Sequence, residues 1–474
     1  MTHPEPTFDA AVVGAGVSGL ALAALLRRAR PSWRIAVLEA DEAPGGAARS
    51  SRAEGYLADW GPSGVLDDAD GAVPLARALG ADPRPADPAA RTRWIYRDGG
   101  LRPLPTSPRE ALRSELLGPL GKAIALAEPW APVGTEEESV DAFLARRFGR
   151  PAADALGEAL VLGVLGGDPR EVSLDAAFPE LRAMERRHGS LLRAVRARTK
   201  RAQAAAPHAD ASTADAPPRP RLHGFGADGM QAFTDALAAA AGDALRTGTP
   251  VHALTRERDG WRLRCAGAEE VRARRVALAV PTHAAAELLG PHDAELADEL
   301  AALPYAPMRV IALGYRRVDV PHPLGGFGYL IPAGRGARSL GVLFASTLFP
   351  GQAPEGTALL RVLAGGRRDP ALVRMGADEA LAVARRDLRV TLGVNAPPTH
   401  VRTLTWPRAI PQPLVGHPAR VSRWRARAAA LGPLALVGAA YGGAGVNACV
   451  RDARAVARAW TGDEVVDADA APRG

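Results

Sequence analysis

The chain has 474 residues, of which 47% are hydrophobic and 23% are charged. This length suits about two to four structural units or one domain with large insertions, and the apolar share is ample for a core, which excludes a fibre or a disordered chain. The formal net charge is +7, but only Lys122 and Lys200 of the 59 basic residues are lysines. The charge therefore reflects an arginine-rich composition and does not indicate nucleic acid as a partner.

Neither the cysteines nor the apolar runs predict a metal site, a disulfide framework or a membrane span. Cys265 and Cys449 are far apart and belong to no CxxC pair or Cys/His cluster. No apolar run reaches the roughly 18 residues that a span requires. Residues 10–26 lack the basic leading segment of a signal peptide, since acidic residues precede them. We predict a cytoplasmic protein that can bind peripherally to the inner face of the cell membrane.

The first 40 residues predict a strand, a glycine-rich turn, a helix and a second strand. Phe8 to Val13 has strand length, and Gly14, Gly16 and Gly19 form a GxGxxG turn before an apolar helical segment. Such a turn brings a pyrophosphate close to the backbone and to the helix N-terminus. Glu39 ends the second strand, at the spacing where an acid accepts a ribose hydroxyl and repels the 2′-phosphate of NADP. The pattern predicts a Rossmann-like dinucleotide site.

Two later segments favour FAD over NAD as the dinucleotide. Gly45-Gly46 followed by Arg49 resembles the second flavin motif of the amine-oxidase-like flavoproteins. Gly61-Pro62-Ser63 resembles the segment that passes beside the flavin in those enzymes. The sequence therefore predicts FAD as the cofactor.

The remaining patterns predict a hairpin, a helical region, a sheet and a return to the opening motif. Residues 93–101 form the hairpin, 107–197 have helical spacing, 308–363 alternate as in an antiparallel sheet, and 434–447 repeat the strand, glycine loop and helix. The predicted fold class is α/β, with a discontinuous Rossmann-like FAD-binding domain, an antiparallel-sheet substrate domain and an all-helical insertion. The predicted domains are FAD-binding parts at 1–90, 221–300 and 401–474, a substrate-domain hairpin at 91–106, the helical insertion at 107–200, a flexible loop at 201–220 and the substrate sheet at 301–400.

Several motifs together resemble one family, the oxygen-dependent protoporphyrinogen and coproporphyrinogen oxidases. They begin at Gly167, Gly226, Gly326, Gly341 and Trp406, they occur in the family's order, and the similarity runs from about residue 8 to about 460. The resemblance implies an FAD enzyme that removes six electrons and six hydrogens from a porphyrinogen, with O2 as acceptor and hydrogen peroxide as by-product. A hydride leaving a meso carbon generates a cation that the adjacent pyrrole stabilises, and flavin N5 is its natural acceptor.

The resemblance also implies site residues, none of them a protein acid or base that acts catalytically. Arg93 matches an arginine that pairs with a substrate propionate, and Phe327 lies in an apolar turn at the substrate. The family often has Asp where this chain has Ala448, and a bulkier pair where it has Gly442-Gly443. The residues expected at FAD are Gly14, Ala15, Gly16, Val17, Ser18, Gly19, Glu39, Ala40, Gly46, Ala47, Arg49, Gly61, Pro62, Ser63, Val251, Trp406, Val446, Asn447 and Ala448.

Three alternative functions share these nucleotide motifs. Coproporphyrinogen III has four propionates and needs a larger, more basic site, whereas the Gly445-Val446-Asn447 ending resembles the protoporphyrinogen branch. A flavin amine oxidase or a carotenoid desaturase leaves the Gly167-Asp168-Pro169 segment unexplained. A binding protein that has lost its cofactor, as in the prenyl-GTPase chaperones, conflicts with the intact glycines, Glu39 and Arg49.

The expected partners follow from the same resemblance and from the helical region. They are the porphyrinogen, O2, a downstream chelatase that receives the porphyrin, and a second copy of the chain in a homodimer. Arginine-rich segments beside Leu and Ala faces within residues 107–197, such as 143–148, also predict contact with an anionic membrane surface.

Overall fold

A computed structural model describes residues 8–105, 107–205 and 221–462 of the chain. The strands are β1 (Phe8–Val13), β2 (Ile35–Leu38), β3 (Ser50–Ala53), β4 (Tyr56–Asp59), β5 (Val65–Leu66), β6 (Arg84–Pro85), β7 (Arg93–Arg97), β8 (Gly100–Pro103), β9 (Leu222–Gly224), β10 (Leu245–Arg246), β11 (Val251–Glu257), β12 (Gly260–Cys265), β13 (Glu270–Leu278), β14 (Tyr305–Arg316), β15 (Gly328–Leu330), β16 (Gly341–Phe344), β17 (Thr357–Gly365), β18 (His400–Pro411) and β19 (Leu434–Leu436).

Helices connect and cover these strands. They are α1 (Val17–Ala29), α2 (Ala72–Ala78), α3 (Pro108–Arg113), α4 (Pro119–Leu126), α5 (Val140–Phe148), α6 (Arg150–Leu165), α7 (Leu174–Ala177), α8 (Pro179–His188), α9 (Leu191–Ala205), α10 (Met230–Ala241), α11 (Thr282–Leu289), α12 (Ala294–Ala301), α13 (Ala345–Leu348), α14 (Ala371–Arg374), α15 (Ala377–Leu392), α16 (His417–Ala430), α17 (Ala439–Gly442) and α18 (Val446–Thr461). Within the described ranges, each helix is too short or too polar to cross a lipid bilayer.

The first sheet joins the two ends of the chain. Its order is β10-β2-β1-β13-β12-β11, with β19 on the other side of β13, and β10, β2, β1, β13 and β19 run parallel. Helices cover both faces of such a sheet, which is why β1 and β2 are continuous apolar runs. On one face α1 packs between α10 and α18, through side chains that include Leu22, Leu26, Phe233, Ala453 and Ala457. This arrangement confirms the α/β fold class.

The second sheet has the order β18-β14-β17-β16-β15-β7-β8. Its pairs are antiparallel except for β7 and β15, which run parallel with Arg93 opposite Gly328. The strands within residues 308–363 pair antiparallel as predicted, and the hairpin at 93–101 adds the one parallel pair of this sheet. The hairpin β7-β8 comes from a distant part of the chain, and so its direction is set by where it docks and not by a tight turn with β15.

The strand β18 lies in the second sheet, whereas the sequence analysis assigned residues from 401 onward to the FAD-binding domain. It pairs with β14 along almost its whole length, from His400 opposite Gly314 to Pro411 opposite Tyr305. The buried strand β14 needs a hydrogen-bonding neighbour on each side. Because β18 is at the sheet edge it tolerates Pro407 and Pro411. These prolines are also the reason why the sequence pattern did not indicate a strand here.

Residues 108–205, between β8 and β9, form the helices α3 to α9. Their shared apolar core contains Val140, Phe143, Val161, Leu165 and Leu174. The sequence predicts a flexible loop at 201–220, but residues 201–205 are helical because they belong to α9, which ends at Ala205. The rest of that predicted loop, residues 206–220, lies outside the described residues.

Candidate functional site

The opening turn brings the N-terminus of α1 against the loop after β2. Gly14 has φ +100°, and a Cβ there would lie 2.7 Å from the Ala279 oxygen, whereas one at Gly19 would lie 2.0 Å from the Gly14 oxygen. Both positions therefore require glycine for packing. Gly16 is the N-cap of α1, and this end of the helix has neither a side-chain cap nor an acidic residue. Its unpaired N–H groups form a site for an anion.

The glycine pair after β2 faces the same helix end. Gly45 N donates to Ala15 O at 2.8 Å, and a Cβ on Gly16 would meet only the Gly46 Cα, at 4.0 Å. Arg49 pairs with Asp41 at 2.5 Å, and its buried Nε makes no hydrogen bond within the described residues. An uncapped helix end, a gap between two glycines and an arginine with a spare donor suit a pyrophosphate.

Glu39 lies beside this turn at the carboxyl end of β2. Its Oε2 accepts from Ala15 N at 2.6 Å and its Oε1 accepts from Asp41 N at 3.0 Å. Thr249 N donates to Glu39 O at 2.7 Å, two residues before Val251 begins β11, and Ala40 is exposed. The segment that leads into β11 therefore contacts Glu39 at the carboxyl end of β2, and such ends of parallel strands bind nucleotides.

Residues 60–63, which follow β4, lie beside the segment that carries Gly45 and Gly46. Trp60 N donates to Arg49 O at 2.8 Å, and a Cβ on Gly61 would lie 2.0 Å from Ala47 O. Trp406, although on the second sheet, donates from Nε1 to Trp60 O at 2.8 Å. Gly61, Pro62 and Ser63 are half-buried. This turn therefore lies where the two sheets meet.

Residues 437–445, between β19 and α18, form the closing loop, which also reaches the N-terminus of α1. A Cβ on Gly438 would lie 3.7 Å from Ser18 Oγ, and α18 begins after Gly445 with no side-chain cap. Asn447 Oδ1 accepts from Ala72 N at 2.9 Å, and Asn447 Nδ2 donates to Leu66 O at 2.8 Å. The structure thus brings the N-termini of α1 and α18 together, with Val17, Val446 and Ala448 in their first turns.

Asp452 is a buried acid one turn beyond Ala448, the position where the family often has Asp. Its Oδ2 accepts from Gly438 N at 2.9 Å, and its other oxygen pairs with Arg425. Burial raises the pKa of Asp452, and Arg425 together with the Gly438 N–H opposes that rise. Asp452, in α18, therefore fixes the closing loop that precedes this helix by accepting from Gly438 N.

The two residues expected at the substrate are in contact. The Arg93 guanidinium lies 5.0 Å from the centroid of the Phe327 ring, and Phe327 N donates to Thr92 O at 2.7 Å. Phe327 is half-buried against Leu348 and Phe349, whereas Arg93 is exposed. The parallel pairing of β7 and β15 brings these distant residues to one place and presents a cation beside an apolar surface.

Sequence reasoning missed a buried acid and base beside the Gly61–Ser63 turn. Arg361 donates to Gly61 O and to Ser63 Oγ. Asp59 accepts from Ser50 Oγ at 2.6 Å and from Gln352 Nε2 at 3.1 Å. Burial raises the pKa of Asp59, a rise that Arg361 and these donors oppose, and burial lowers the pKa of Arg361. The signal that could have revealed this pair is Arg361 itself, because it is the one charged residue in the apolar strand β17.

His417 is a second buried polar group that sequence reasoning did not place. Its Nε2 donates to Ala440 O at 2.8 Å, next to Tyr441 in α17. Burial lowers the pKa of His417 to about 4, and so the ring is neutral at physiological pH. It fixes the backbone of the closing loop as a neutral hydrogen-bond donor.

The residues present fit FAD. The uncapped end of α1, the gap between Gly16 and Gly46 and the Glu39 carboxylate lie together, and the contacts of Gly61 with Ala47 and of Gly438 with Ser18 bring the later turn and the loop before α18 to them. Such an arrangement can hold an extended molecule with a ribose, a pyrophosphate and a ring system. In the described residues, no group of three or more His, Cys, Asp or Glu side chains is placed to hold a metal ion.

Comparison with known proteins supports this interpretation. Residues 17–460 match the model of the family described as flavin containing amine oxidoreductase. The chloroplastic protoporphyrinogen oxidase of Nicotiana tabacum is 31% identical over 97% of this chain and 86% of its own length. The protoporphyrinogen oxidase of Homo sapiens is 30% identical over 96% of this chain and 98% of its own.

A solved structure shows the same fold. The crystal structure of a candidate protoporphyrinogen oxidase from Exiguobacterium sp. 255-15 superposes with a TM-score of 0.80, at 21% identity, over 97% of this chain and 99% of that one. The matches cover both sheets and the helical region. The chain therefore belongs to the family of flavin containing amine oxidoreductases, among the relatives of the protoporphyrinogen oxidases, and is an FAD-dependent oxidoreductase.

Proposed function

We propose that the chain oxidises protoporphyrinogen IX to protoporphyrin IX with O2, which leaves as hydrogen peroxide. The single observation that carries this proposal is the contact between Arg93 and Phe327, which presents a cation for a carboxylate beside an apolar surface for a macrocycle. The identity to protoporphyrinogen oxidases over nearly the whole chain supports the same substrate. Six electrons leave the porphyrinogen, and three molecules of O2 accept them.

The protein's own residues position the reactants. FAD, when bound, supplies the hydride acceptor. The Arg93 guanidinium binds a substrate propionate, because a planar guanidinium matches a carboxylate with two parallel hydrogen bonds. The apolar side chains of Phe327, Leu348 and Phe349 exclude water from the ring face. Holding the meso carbon close to the flavin is the protein's main contribution to the rate.

Turnover with defined substrates tests the proposal. Purified protein reconstituted with FAD is mixed anaerobically with protoporphyrinogen IX, and flavin absorption and porphyrin fluorescence are followed. We expect the flavin to bleach because it accepts the first two of the six electrons. On addition of O2, flavin absorption should recover, hydrogen peroxide should be released and porphyrin fluorescence should appear over repeated cycles. Clear preference for coproporphyrinogen III in a parallel experiment would reassign the substrate, and an unbleached flavin with both porphyrinogens would refute the proposal.

We further propose that the helical insertion binds peripherally to an anionic membrane. Of the twelve large hydrophobic side chains that are exposed within the described residues, seven belong to the insertion: Leu112, Leu120, Ile124, Leu126, Trp130, Val133 and Val164. Lys122 lies on the same helix as Leu120 and Ile124. Exposed apolar side chains on a helix that also carries a cation suit the interface of an anionic bilayer.

Vesicle flotation tests this surface. The protein should float with vesicles that contain anionic lipid at low salt, and the L120S/W130S variant should float much less. Val318 is also strongly exposed but lies outside the insertion, so V318S is the control and should float like the wild type. Equal flotation of all three proteins would contradict the proposed surface. A downstream chelatase and a second copy of the chain stay predictions.

A further inference from the structure

Arg361 is a buried charge on an apolar strand. It lies in the middle of β17, between the buried Leu360 and Val362, and only 5% of its surface is exposed. Removing a guanidinium from water costs several kcal/mol unless hydrogen bonds replace the lost hydration. The groups that accept hydrogen bonds from Arg361 therefore show which part of the protein this residue fixes in place.

Those partners lie on the turn after β4. Arg361 donates to Gly61 O and to Ser63 Oγ, and Asp59 supplies the opposite charge. Asp59 is itself fixed by Met230 N at 3.1 Å and by Ser50 Oγ and Gln352 Nε2. Arg361 thus occupies the acceptors of the turn from the side of the second sheet.

The donors of the same turn are unused. Within the part of the chain that the structure describes, the N–H groups of Gly61 and Ser63 find no acceptor, and Pro62 has none to give. The turn lies between Ala47, which touches Gly61, and Leu66, which binds Asn447 of α18. Half-buried N–H groups without partners in a cleft are available to a ligand that brings acceptors.

We propose that Arg361 is a positioning residue for the flavin: it holds the carbonyl side of the Gly61–Ser63 turn and leaves the N–H groups facing acceptors on the isoalloxazine ring. The inference rests on the proposed placement of FAD at Gly61, Pro62 and Ser63. N–H groups aimed at the ring stabilise the negative charge that it gains on reduction. Arg361 therefore strengthens FAD binding and raises the flavin midpoint potential.

A matched pair of variants tests this role. Arg309, on the neighbouring strand β14, is also buried, with 6% exposed, but it donates to the carbonyls of Val373, Met375 and Gly376. R361M should weaken FAD binding about tenfold or more, because the Gly61–Ser63 turn loses both hydrogen bonds that hold its acceptor side. Its midpoint potential should become more negative. R309M should keep the FAD affinity and the potential of the wild type.

The readouts are titration of apoprotein with FAD, followed by flavin fluorescence, and dye-equilibrated reduction of the holoenzyme. Unchanged affinity and potential in R361M, or equal losses in R361M and R309M, would overturn the inference. If R361M does not fold, S63A removes one acceptor only and should shift both quantities in the same direction by less. A wild type that binds FAD but fails to oxidise porphyrinogens refutes the proposed reaction and leaves this inference standing.

Discussion

The three glycines of the opening turn have two physical roles, although the motif presents them alike: Gly14 and Gly19 are needed for packing, whereas Gly16 is not. A Cβ on Gly19 would lie 2.0 Å from Gly14 O, inside the folded protein. A Cβ on Gly16 would enter the gap before Gly46 and meet nothing closer than 4.0 Å. The Gly16 backbone, with φ −73° and ψ 180°, also suits other residues. Gly19 is therefore required for the fold and Gly16 for the ligand.

We expect G16A to keep the thermal stability of the apoprotein and to lose FAD affinity at least about tenfold, since the added methyl occupies the pyrophosphate gap. G19A should instead lower the free energy of unfolding of the apoprotein, typically by about 1–3 kcal/mol for an overpacked site. Thermal unfolding and FAD titration of both variants distinguish these effects. A G16A protein that binds FAD like the wild type would contradict the assigned gap.

Arg93 gives a second prediction at this scale. R93M should lower kcat/KM for protoporphyrinogen IX about tenfold or more, because a charge-assisted hydrogen bond of about 1.5–3 kcal/mol is lost. Arg97 is also on β7 but donates to Leu116 O at 2.9 Å, so R97M is the matched control with little change in kcat/KM. Porphyrin fluorescence measures both rates. Equal effects of the two substitutions would show that Arg93 has no specific role at the substrate.

At the scale of elements, a buried ion pair joins the helices of the insertion. Glu128 and Arg147 are both fully buried, with Arg147 Nε donating to Glu128 at 2.9 Å. Glu128 also accepts from Ser190 Oγ and from the N–H groups of Leu191 and Leu192 at the start of α9. Burial alone raises the pKa of Glu128, but these hydrogen bonds outweigh it and hold the pKa below the usual value.

E128Q should lower the free energy of unfolding at pH 7 by up to about 3–5 kcal/mol, because it removes the closer of the two carboxylates that pair with the buried Arg147 and leaves only Glu185, at 3.5 Å. A depressed pKa in the folded state stabilises the protein above the unfolded-state value of 4.5, and this stabilisation is lost as the pH falls through the folded pKa. The difference between the two proteins should therefore narrow at acid pH.

Urea unfolding at pH 7 and near pH 4 measures this difference. The exposed pair of Arg150 and Asp154 is the control, since D154N should cost less than about 1 kcal/mol. An E128Q protein as stable as the wild type at pH 7, or a difference that grows on acidification, would contradict the role of this pair.

At the scale of the molecule, the site predicted for FAD is the place where segments near the chain's two ends meet. The α1 N-terminus comes from residue 17, the α18 N-terminus from residue 446, and the Gly61–Ser63 turn between them is held by the second sheet through Arg361 and Trp406. A ligand at this site contacts segments from both sheets. Binding should therefore stabilise the molecule as a whole.

FAD at about 100 times its dissociation constant should raise the free energy of unfolding by about 2.7 kcal/mol, since it binds only the folded state. Thermal unfolding with and without FAD tests this, followed by far-UV circular dichroism for secondary structure and by tryptophan fluorescence for tertiary packing. The transitions should move together. In G16A, with an affinity at least about tenfold lower, the same FAD concentration should produce about half of this stabilisation or less. A wild-type protein that FAD does not stabilise would contradict the shared site.

The sequence by itself determined the glycine turn, the place of Glu39 just after β2 and the helical character of the insertion, because each depends on local patterns of residues, whereas the roles of Arg93 and Phe327 at a substrate stay predictions. It could not determine that β18 completes the second sheet, that β7 joins β15 in parallel, or that Arg361 holds Gly61 and Ser63. These features depend on which distant segments share hydrogen bonds and on where a buried charge finds its partners. Only the tertiary structure decides them, since burial and long-range pairing have no local signature in the chain.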